Sequence, residues 1–169
     1  MYSSLILIFC SEQLESDSLR NFGLLPDYSR DMIDLSPQQV VSCSKQNFGC
    51  SGGWVEKAFR YITSAGGLEY DAYYPYTSGT SGQSETCTGL NESPAVTVSS
   101  YTGVSGETTA VANYVSTTGP LTLYIDASSW NTYTGGIMTA SSCPAVGSYI
   151  NHAGKCTPVD DPRLVSNHY

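Results

Sequence analysis

This sequence of 169 residues is poor in positive charge. It contains 7 lysines and arginines against 15 aspartates and glutamates, so its formal net charge at pH 7 is −8. Proteins that bind nucleic acid neutralise phosphates with clustered basic side chains, so this balance argues against a nucleic-acid partner. Long apolar runs are lacking too: none reaches the ~18 residues that a membrane-spanning helix needs, so we expect no membrane segment.

The first ten residues fall short of a secretory signal peptide. The apolar core at residues 5–9 is shorter than the ~7–15 residues of such a signal, and no basic residue precedes it. We therefore expect no signal peptide in this chain. Six cysteines are present nevertheless, and this number favours an oxidising compartment.

Three helices are predicted in the first half of the chain. The first covers residues 11–20, with acidic side chains in its early turns. Ser36 can cap a second helix that begins at Pro37, and Gln39 stands at the capping-box position, three residues after the cap. The third helix covers about residues 54–64 and ends at the glycines that begin with Gly66. The first half is therefore expected to be largely helical.

The pattern changes near residues 94–101. Val96 and Val98 alternate with polar residues, which is typical of a half-buried strand. A short helix is predicted over residues 107–116, and apolar alternation returns over residues 121–125. The order of elements predicts an α+β fold whose second half is rich in strands.

A glycine pair, Gly52 and Gly53, follows Cys50 and precedes Trp54. Adjacent glycines leave main-chain N–H and C=O groups uncovered by side chains. A protein that holds an extended peptide by its main chain needs such a segment. A turn tied by a disulfide, with glycines at positive φ, explains the same residues.

These residues carry a resemblance to a known family. The stretch LSPQQVVSC…GCSGGW resembles the papain family of cysteine peptidases, near its cathepsin L-like branch. The likeness continues, in the family's order, at EQLESDSLR (residues 12–20), YYPYTS (73–78), GPLTLYIDASSWNTYTGGIMT (119–139) and Asn151-His152-Ala153.

The resemblance implies a papain-like α+β fold with two lobes and an active site in the cleft between them. Residues 1–169 would form one partial peptidase domain, with a helical lobe at 11–100 and part of an antiparallel β-barrel lobe at 101–154. Residues 1–10 and 155–169 depart from the family pattern. Both departures coincide with residues that splice-site-like codons can encode, so we expect intron sequence to have been read into both ends.

The resemblance also implies peptide-bond hydrolysis through a thiol acyl-enzyme. His152 matches the catalytic histidine, and the nucleophile position falls at Leu5. Cys10 is a poor substitute, because five residues further along the expected helix means ~7.5 Å of rise and ~140° of rotation. Asn167 does not match the asparagine that orients the histidine. We therefore expect this chain to be inactive.

The substrate-binding positions of the family are better represented. Gly52 and Gly53 match the residues that pair with the substrate backbone, and Asn151 precedes the histidine. Trp54, Val55, Tyr124 and Ala153 match positions around the pocket for the second residue before the scissile bond. Two bulky aromatic rings there imply a preference for apolar side chains. Alternatively, Trp54 is a helix-start aromatic that packs on its own lobe.

The resemblance pairs Cys43 with Cys87 in a disulfide. The cysteines that should pair with Cys50 and Cys143 are missing from the sequence. A substitute bond between Cys143 and Cys156 is conceivable.

The resemblance implies no metal and no cofactor. The expected partners are an extended peptide or protein substrate and protein inhibitors of the family, and the expected location is lysosomal, vacuolar or secreted. Two further hypotheses stand beside it. One is a non-catalytic peptide-binding or regulatory pseudoprotease that uses Gly52, Gly53 and Trp54. The other is an unrelated extracellular binding module, rich in tyrosine and serine, with disulfide staples.

Overall fold

A computed structural model of the protein describes residues 34–90, 93–104, 106–135 and 150–156. The helix expected over residues 11–20 lies outside these ranges. The positions discussed at Leu5, Cys10, Cys143 and Asn167 also lie outside the described residues.

The described elements are four helices, two strands and two short 3-10 turns. The helices are α1 (Pro37–Cys43), α2 (Val55–Ala65), α3 (Ser78–Ser81) and α4 (Thr108–Thr117); the strands are β1 (Leu121–Ile125) and β2 (His152–Cys156); the 3-10 turns are Gly49–Ser51 and Trp130–Thr132. Within the ranges described, every helix is too short or too polar to cross a bilayer.

Helix α1 begins as its sequence predicts, but not with a capping box. The Ser36 hydroxyl accepts a hydrogen bond from the Gln39 N–H at 3.1 Å and donates one to the Tyr74 carbonyl at 2.5 Å. The Gln39 amide does not reach back to the cap. Its oxygen accepts from the Glu69 N–H at 2.8 Å and its nitrogen donates to the Gly67 carbonyl at 3.0 Å. Because α1 is buried along its whole length, the amide serves neighbouring buried main-chain groups instead.

The adjacent Gln38 side chain makes a second buried network. Its amide nitrogen donates to the hydroxyls of Ser42 at 2.7 Å and Ser78 at 2.8 Å. Its amide oxygen accepts from the main-chain N–H groups of Thr77 and Ser78, each at 2.9 Å. An unsatisfied buried amide would cost ~1–3 kcal/mol, so these partners are what allow two glutamines to stand in the interior. They join α1 to the chain around α3.

The core of the first half lies between α1 and α2. Its buried members are Leu35, Val40, Ala58, Ile62, Leu68, Val96 and Val98. Helix α2 ends at Gly66, whose φ of 86° is the left-handed conformation that glycine adopts without a Cβ penalty.

The strand predicted around Val96 and Val98 is not formed. Val96 makes one isolated antiparallel bridge with Leu68, with hydrogen bonds from the Leu68 N–H to the Val96 carbonyl (2.9 Å) and from the Ala95 N–H to the Leu68 carbonyl (2.7 Å). The alternation of Val96 and Val98 reflects burial of both side chains in the core. Burial at every second residue does not require a partner strand.

Cys43, at the end of α1, is joined to Cys87 by a disulfide with a Cα–Cα distance of 4.9 Å. Closing a loop of this length stabilises a fold by ~3–4 kcal/mol in the chain-entropy model. Cys156 is a free thiol, so the conceivable bond between Cys143 and Cys156 is not made. Cys50 is also a free thiol.

Strands β1 and β2 pair in an antiparallel sheet. The register sets Ile125 opposite His152 and Tyr124 opposite Ala153. Strand β2 continues through Lys155 to Cys156, two residues beyond the end of the family likeness at Gly154. Within the described residues, β1 and β2 are the strands of the expected β-barrel lobe.

Candidate functional site

The glycine pair lies directly after the 3-10 turn and before α2. Gly52 has a φ of 119°, which favours glycine, and its carbonyl accepts from the Phe48 N–H at 2.8 Å. Gly53 lies against Asn47: an added Cβ would stand 2.6 Å from the Asn47 Cγ. Both glycines are buried, and no hydrogen bond joins the main chain of Gly53 to another described residue. The Gly53 backbone is therefore placed by close packing and not by its own hydrogen bonds.

Trp54 occupies the cap position of α2 and supplies no side-chain cap. The main-chain N–H of Trp54 donates to the Asn47 side-chain oxygen at 2.8 Å. Its indole is 42% exposed and lies edge-on to the Tyr124 ring, with 5.9 Å between centroids. Trp54 thus begins α2, as the alternative interpretation has it, and its ring also contacts β1.

The cap that Trp54 does not provide comes from the sheet. The Tyr124 hydroxyl accepts a hydrogen bond from the Val55 N–H at 2.9 Å and donates one to the Glu56 carboxylate. Burial raises the pKa of the Tyr124 phenol well above its ordinary value, and the bond to Glu56 raises it further. The phenol thus stays neutral and keeps both roles, donor and acceptor, across the physiological range.

The β1–β2 register completes the group. Ala153 stands opposite Tyr124 and is 1% exposed. Four positions predicted from separate segments of the sequence therefore come together where the start of α2 meets the sheet: Trp54, Val55, Tyr124 and Ala153. Gly53 lies immediately before them in the chain. This arrangement sets an aromatic and aliphatic surface beside a glycine backbone segment.

His152 is the first residue of β2, next to Ala153. Its ring lies edge-on to the Trp130 indole, with 5.7 Å between centroids. The imidazole is partly exposed. The ring of His152 therefore lies against an aromatic wall and is partly open to solvent.

Asn151 ties the turn after β1 to the start of β2. Its side-chain oxygen accepts from the Ala127 N–H at 2.8 Å, and its side-chain nitrogen donates to the Ser128 hydroxyl at 2.8 Å. That nitrogen also donates to Asp126 at 3.2 Å. Hydrogen bonds from Ser128 lower the pKa of the Asp126 carboxyl. The Asn151 side chain therefore fixes the backbone that leads into His152.

Three residues of this region were not predicted from the sequence. Glu56 receives the Tyr124 hydroxyl, Trp130 walls His152, and Asp126 joins the Asn151 cluster. An aromatic residue shortly after a strand that ends near the histidine is a weak signal for Trp130. Nothing in the local pattern identifies Glu56, whose bond to Tyr124 spans 68 positions of sequence.

Comparison with known proteins places the chain in a family. The family model described as "Papain family cysteine protease" matches residues 25–158. Zingipain-1 of Zingiber officinale is 35% identical over 132 residues, which cover 77% of this chain and 58% of that protein. Cathepsin K of Mus musculus is 32% identical over 134 residues, covering 78% of this chain and 39% of that protein. The chain therefore spans about two fifths to three fifths of the length of these relatives.

A solved structure agrees with the sequence comparison. The digestive procathepsin L 3 of the Tenebrio molitor larval midgut superposes with a TM-score of 0.64 at 30% identity, over 75% of this chain and 41% of that chain. The fold is thus a partial papain-like fold of mixed helix and sheet. The hypothesis of an unrelated extracellular binding module is wrong. This chain belongs to the papain family of cysteine proteases and resembles its cathepsin L-like members.

Proposed function

We propose that this chain carries the peptide-binding face and the catalytic histidine of a thiol endopeptidase, and that as printed it does not turn peptides over. The observation that carries the proposal is the register of β1 and β2. It pairs Tyr124 with Ala153, and Tyr124 contacts Trp54 through its ring and Val55 through its hydroxyl. His152 precedes Ala153 in β2.

The chemistry of such a site needs a thiolate and a proton carrier. The sulfur attacks the peptide carbonyl, the histidine gives its proton to the departing amine, and water then hydrolyses the thioester. The proposed proton carrier is His152, which is partly exposed beside the Trp130 ring and directly precedes Ala153. The family nucleophile falls at Leu5, which has no thiol. Without a thiolate the acyl-enzyme cannot form.

An extended peptide is the proposed ligand. The main chain of Gly53 makes no hydrogen bond to another described residue and would pair with the backbone of an extended peptide. The surface formed by Trp54 and Tyr124 would contact an apolar side chain of that peptide. Protein inhibitors that insert an extended segment are the second proposed class of partner.

Labelling with a thiol-directed peptidyl epoxide tests the catalytic part of the proposal. The whole chain is incubated with the epoxide and with a fluorogenic peptide, and mass spectrometry locates any modified cysteine. We expect no hydrolysis and no labelling that depends on His152. The control variant is His152→Ala. Labelling of Cys10 in the wild type that disappears in this variant would overturn the proposal, because Cys10 would then be the nucleophile.

A second candidate function is a non-catalytic peptide-binding or regulatory module. The grouping of Trp54, Tyr124 and Ala153 favours it, because the nucleophile position of the same chain falls at a leucine. Saturable binding of an extended peptide, measured by fluorescence polarisation with no turnover over hours, would support it. Absence of binding by a folded chain would count against both candidates.

The disulfide supports a proposed cellular location. The Cys43–Cys87 disulfide is stable in oxidising compartments and rare in the cytosol. We therefore propose a secreted, lysosomal or vacuolar protein.

A further inference from the structure

We infer that the later turns of α2 carry a second binding site, for a small organic anion with a flat apolar body, such as an aromatic carboxylate. The site is a cavity of about 350 Å³ between α2 and the segment after Val98, and its lining residues are Arg60, Thr63, Ser64, Ser99, Ser100 and Tyr101. This volume lies near the lower end of the range for small-molecule sites, ~300–1,000 Å³. Thr63 stands ~12 Å along the helix axis from Val55. The cavity is therefore separate from the group at the start of α2, and the inference does not depend on peptide binding.

Arg60 supplies a positive charge to this cavity. Its guanidinium donates a long hydrogen bond, 3.4 Å, to the neutral side-chain oxygen of Gln46, and no carboxylate of the described residues forms an ion pair with it. Glu56 stands one turn earlier on α2, at a spacing from which a carboxylate commonly pairs with an arginine. The Glu56 carboxylate instead accepts from the Tyr124 hydroxyl. Arg60 is therefore available to an external carboxylate, whose geometry a planar guanidinium matches.

The hydroxyl groups of the cavity are of two kinds. Thr63 and Ser64 donate to main-chain carbonyls within α2, at 2.9 Å and 2.8 Å, so their oxygens can only accept further bonds. Ser99 and Ser100 are exposed, and their hydroxyls make no hydrogen bond to another described residue. These two hydroxyls can donate to an anion. Together with Arg60 they give the cavity the donors that an anionic head requires.

Tyr101 specifies the apolar part of the ligand. Its ring is 43% exposed and stacks on Phe59, with 5.6 Å between centroids and an interplanar angle of 21°. Stacking restrains the ring, so it presents a flat surface to the cavity. A second aromatic ring is attracted to such a surface beyond simple burial. Because Arg60 and Tyr101 line one cavity, a ligand with both a charged head and a flat body uses both, whereas an inorganic anion uses only the first.

The experiment titrates the whole chain with three compounds and measures binding by ligand-observed NMR. Naphthoate has the flat body and the carboxylate, naphthylmethanol has the same body without the charge, and acetate has the charge without the body. Charge-assisted hydrogen bonds and ring contacts each contribute to the affinity. We therefore expect naphthoate to bind at least tenfold more tightly than either of the other two compounds.

Two variants assign the binding to this cavity. Arg60→Gln removes the charge and should weaken naphthoate binding about tenfold, and Tyr101→Ala removes the ring and should weaken it at least threefold. Lys57→Gln is the matched control, because it removes the same charge from the same helix outside the cavity lining. The Lys57 ammonium lies over the Phe48 ring, 5.4 Å from its centroid. This control should leave naphthoate binding within twofold of the wild type. Circular dichroism verifies that each variant is folded.

Each remaining outcome overturns the inference. Folded wild type that fails to bind naphthoate at millimolar concentration has no such site. Equal weakening by Arg60→Gln and Lys57→Gln means that naphthoate responds to the general charge of the surface. Acetate that binds as tightly as naphthoate removes the role of the flat body, and naphthylmethanol that does so removes the role of the charge. These two comparisons use the wild type alone, so they decide the matter even where a variant fails to fold.

Discussion

The Tyr124 hydroxyl caps α2 from a different part of the chain, so its removal should be measurable as a loss of stability. In Tyr124→Phe the Val55 N–H loses its acceptor, and loss of a helix N-cap costs ~0.5–2 kcal/mol. The lost bond to Glu56 adds little, because that carboxylate is exposed and water replaces the phenol. We therefore expect the free energy of unfolding to fall by ~1–2 kcal/mol.

The assay is thermal and urea unfolding followed by circular dichroism at neutral pH. For a chain of this size the expected loss corresponds to a decrease in Tm of ~3–6 °C. The matched control is Tyr101→Phe, which removes a hydroxyl from an exposed ring and should change stability by less than ~0.5 kcal/mol.

A double-mutant cycle with Glu56→Gln tests whether the two side chains act together. Once Phe replaces Tyr124, the Glu56 side chain has no hydroxyl to accept from, so its own substitution should matter less. Strictly additive effects would refute coupling between Tyr124 and Glu56 and leave the cap standing. A Tyr124→Phe protein as stable as the wild type would refute the idea that the sheet caps the helix.

Three further substitutions probe the rest of the site. Gly53→Ala places a methyl group 2.6 Å from the Asn47 Cγ, so it should destabilise the chain by ~1–3 kcal/mol and weaken peptide binding at least tenfold. The control Gly103→Ala, with open space around the added methyl group, should change neither stability nor binding. Urea unfolding measures the stability, and polarisation titrations measure the binding. Asn151→Ala removes the hydrogen bonds that hold the turn after β1 and should cost ~1–3 kcal/mol in urea unfolding, and an unchanged midpoint would contradict the positioning role. Because the pKa of Asp126 is lowered by folding, its stabilising contribution should be present above its ordinary pKa and disappear as the pH falls through the lowered value; the stability difference between wild type and Asp126→Asn should thus shrink below about pH 4, and a difference that grows towards acid would contradict this.

Local signals predicted the helical part of the fold. Ser36 and Pro37 mark the start of α1, and Gly66 marks the end of α2, because caps and breakers act within one turn of the residues they affect. The strand predicted at Val96 failed for the opposite reason. A strand depends on a distant partner, and alternating burial in a core gives the same pattern without one.

The contact between Trp54 and Tyr124 could be predicted only through the resemblance. Trp54 and Tyr124 lie far apart in sequence, and no periodicity relates them. Their residue types matched family positions, and the structure then brought them within 5.9 Å of each other. The hydrogen bonds of the Tyr124 hydroxyl could not be predicted from the sequence, because they depend on how β1 lies against the start of α2.

The buried glutamines of α1 have a consequence for an acidic environment. Gln38 and Gln39 are 2% and 0% exposed and hold neighbouring segments through amide groups. A side-chain amide neither gains nor loses a proton in the pH range of living compartments. An ionised glutamate at either position could only accept, so it could not make the donations that the amides make, and it would gain a donor only on protonation as the surroundings acidify. With amides at these positions, the interior of the helical part can keep the same hydrogen bonds in an acidic compartment as in a neutral fluid.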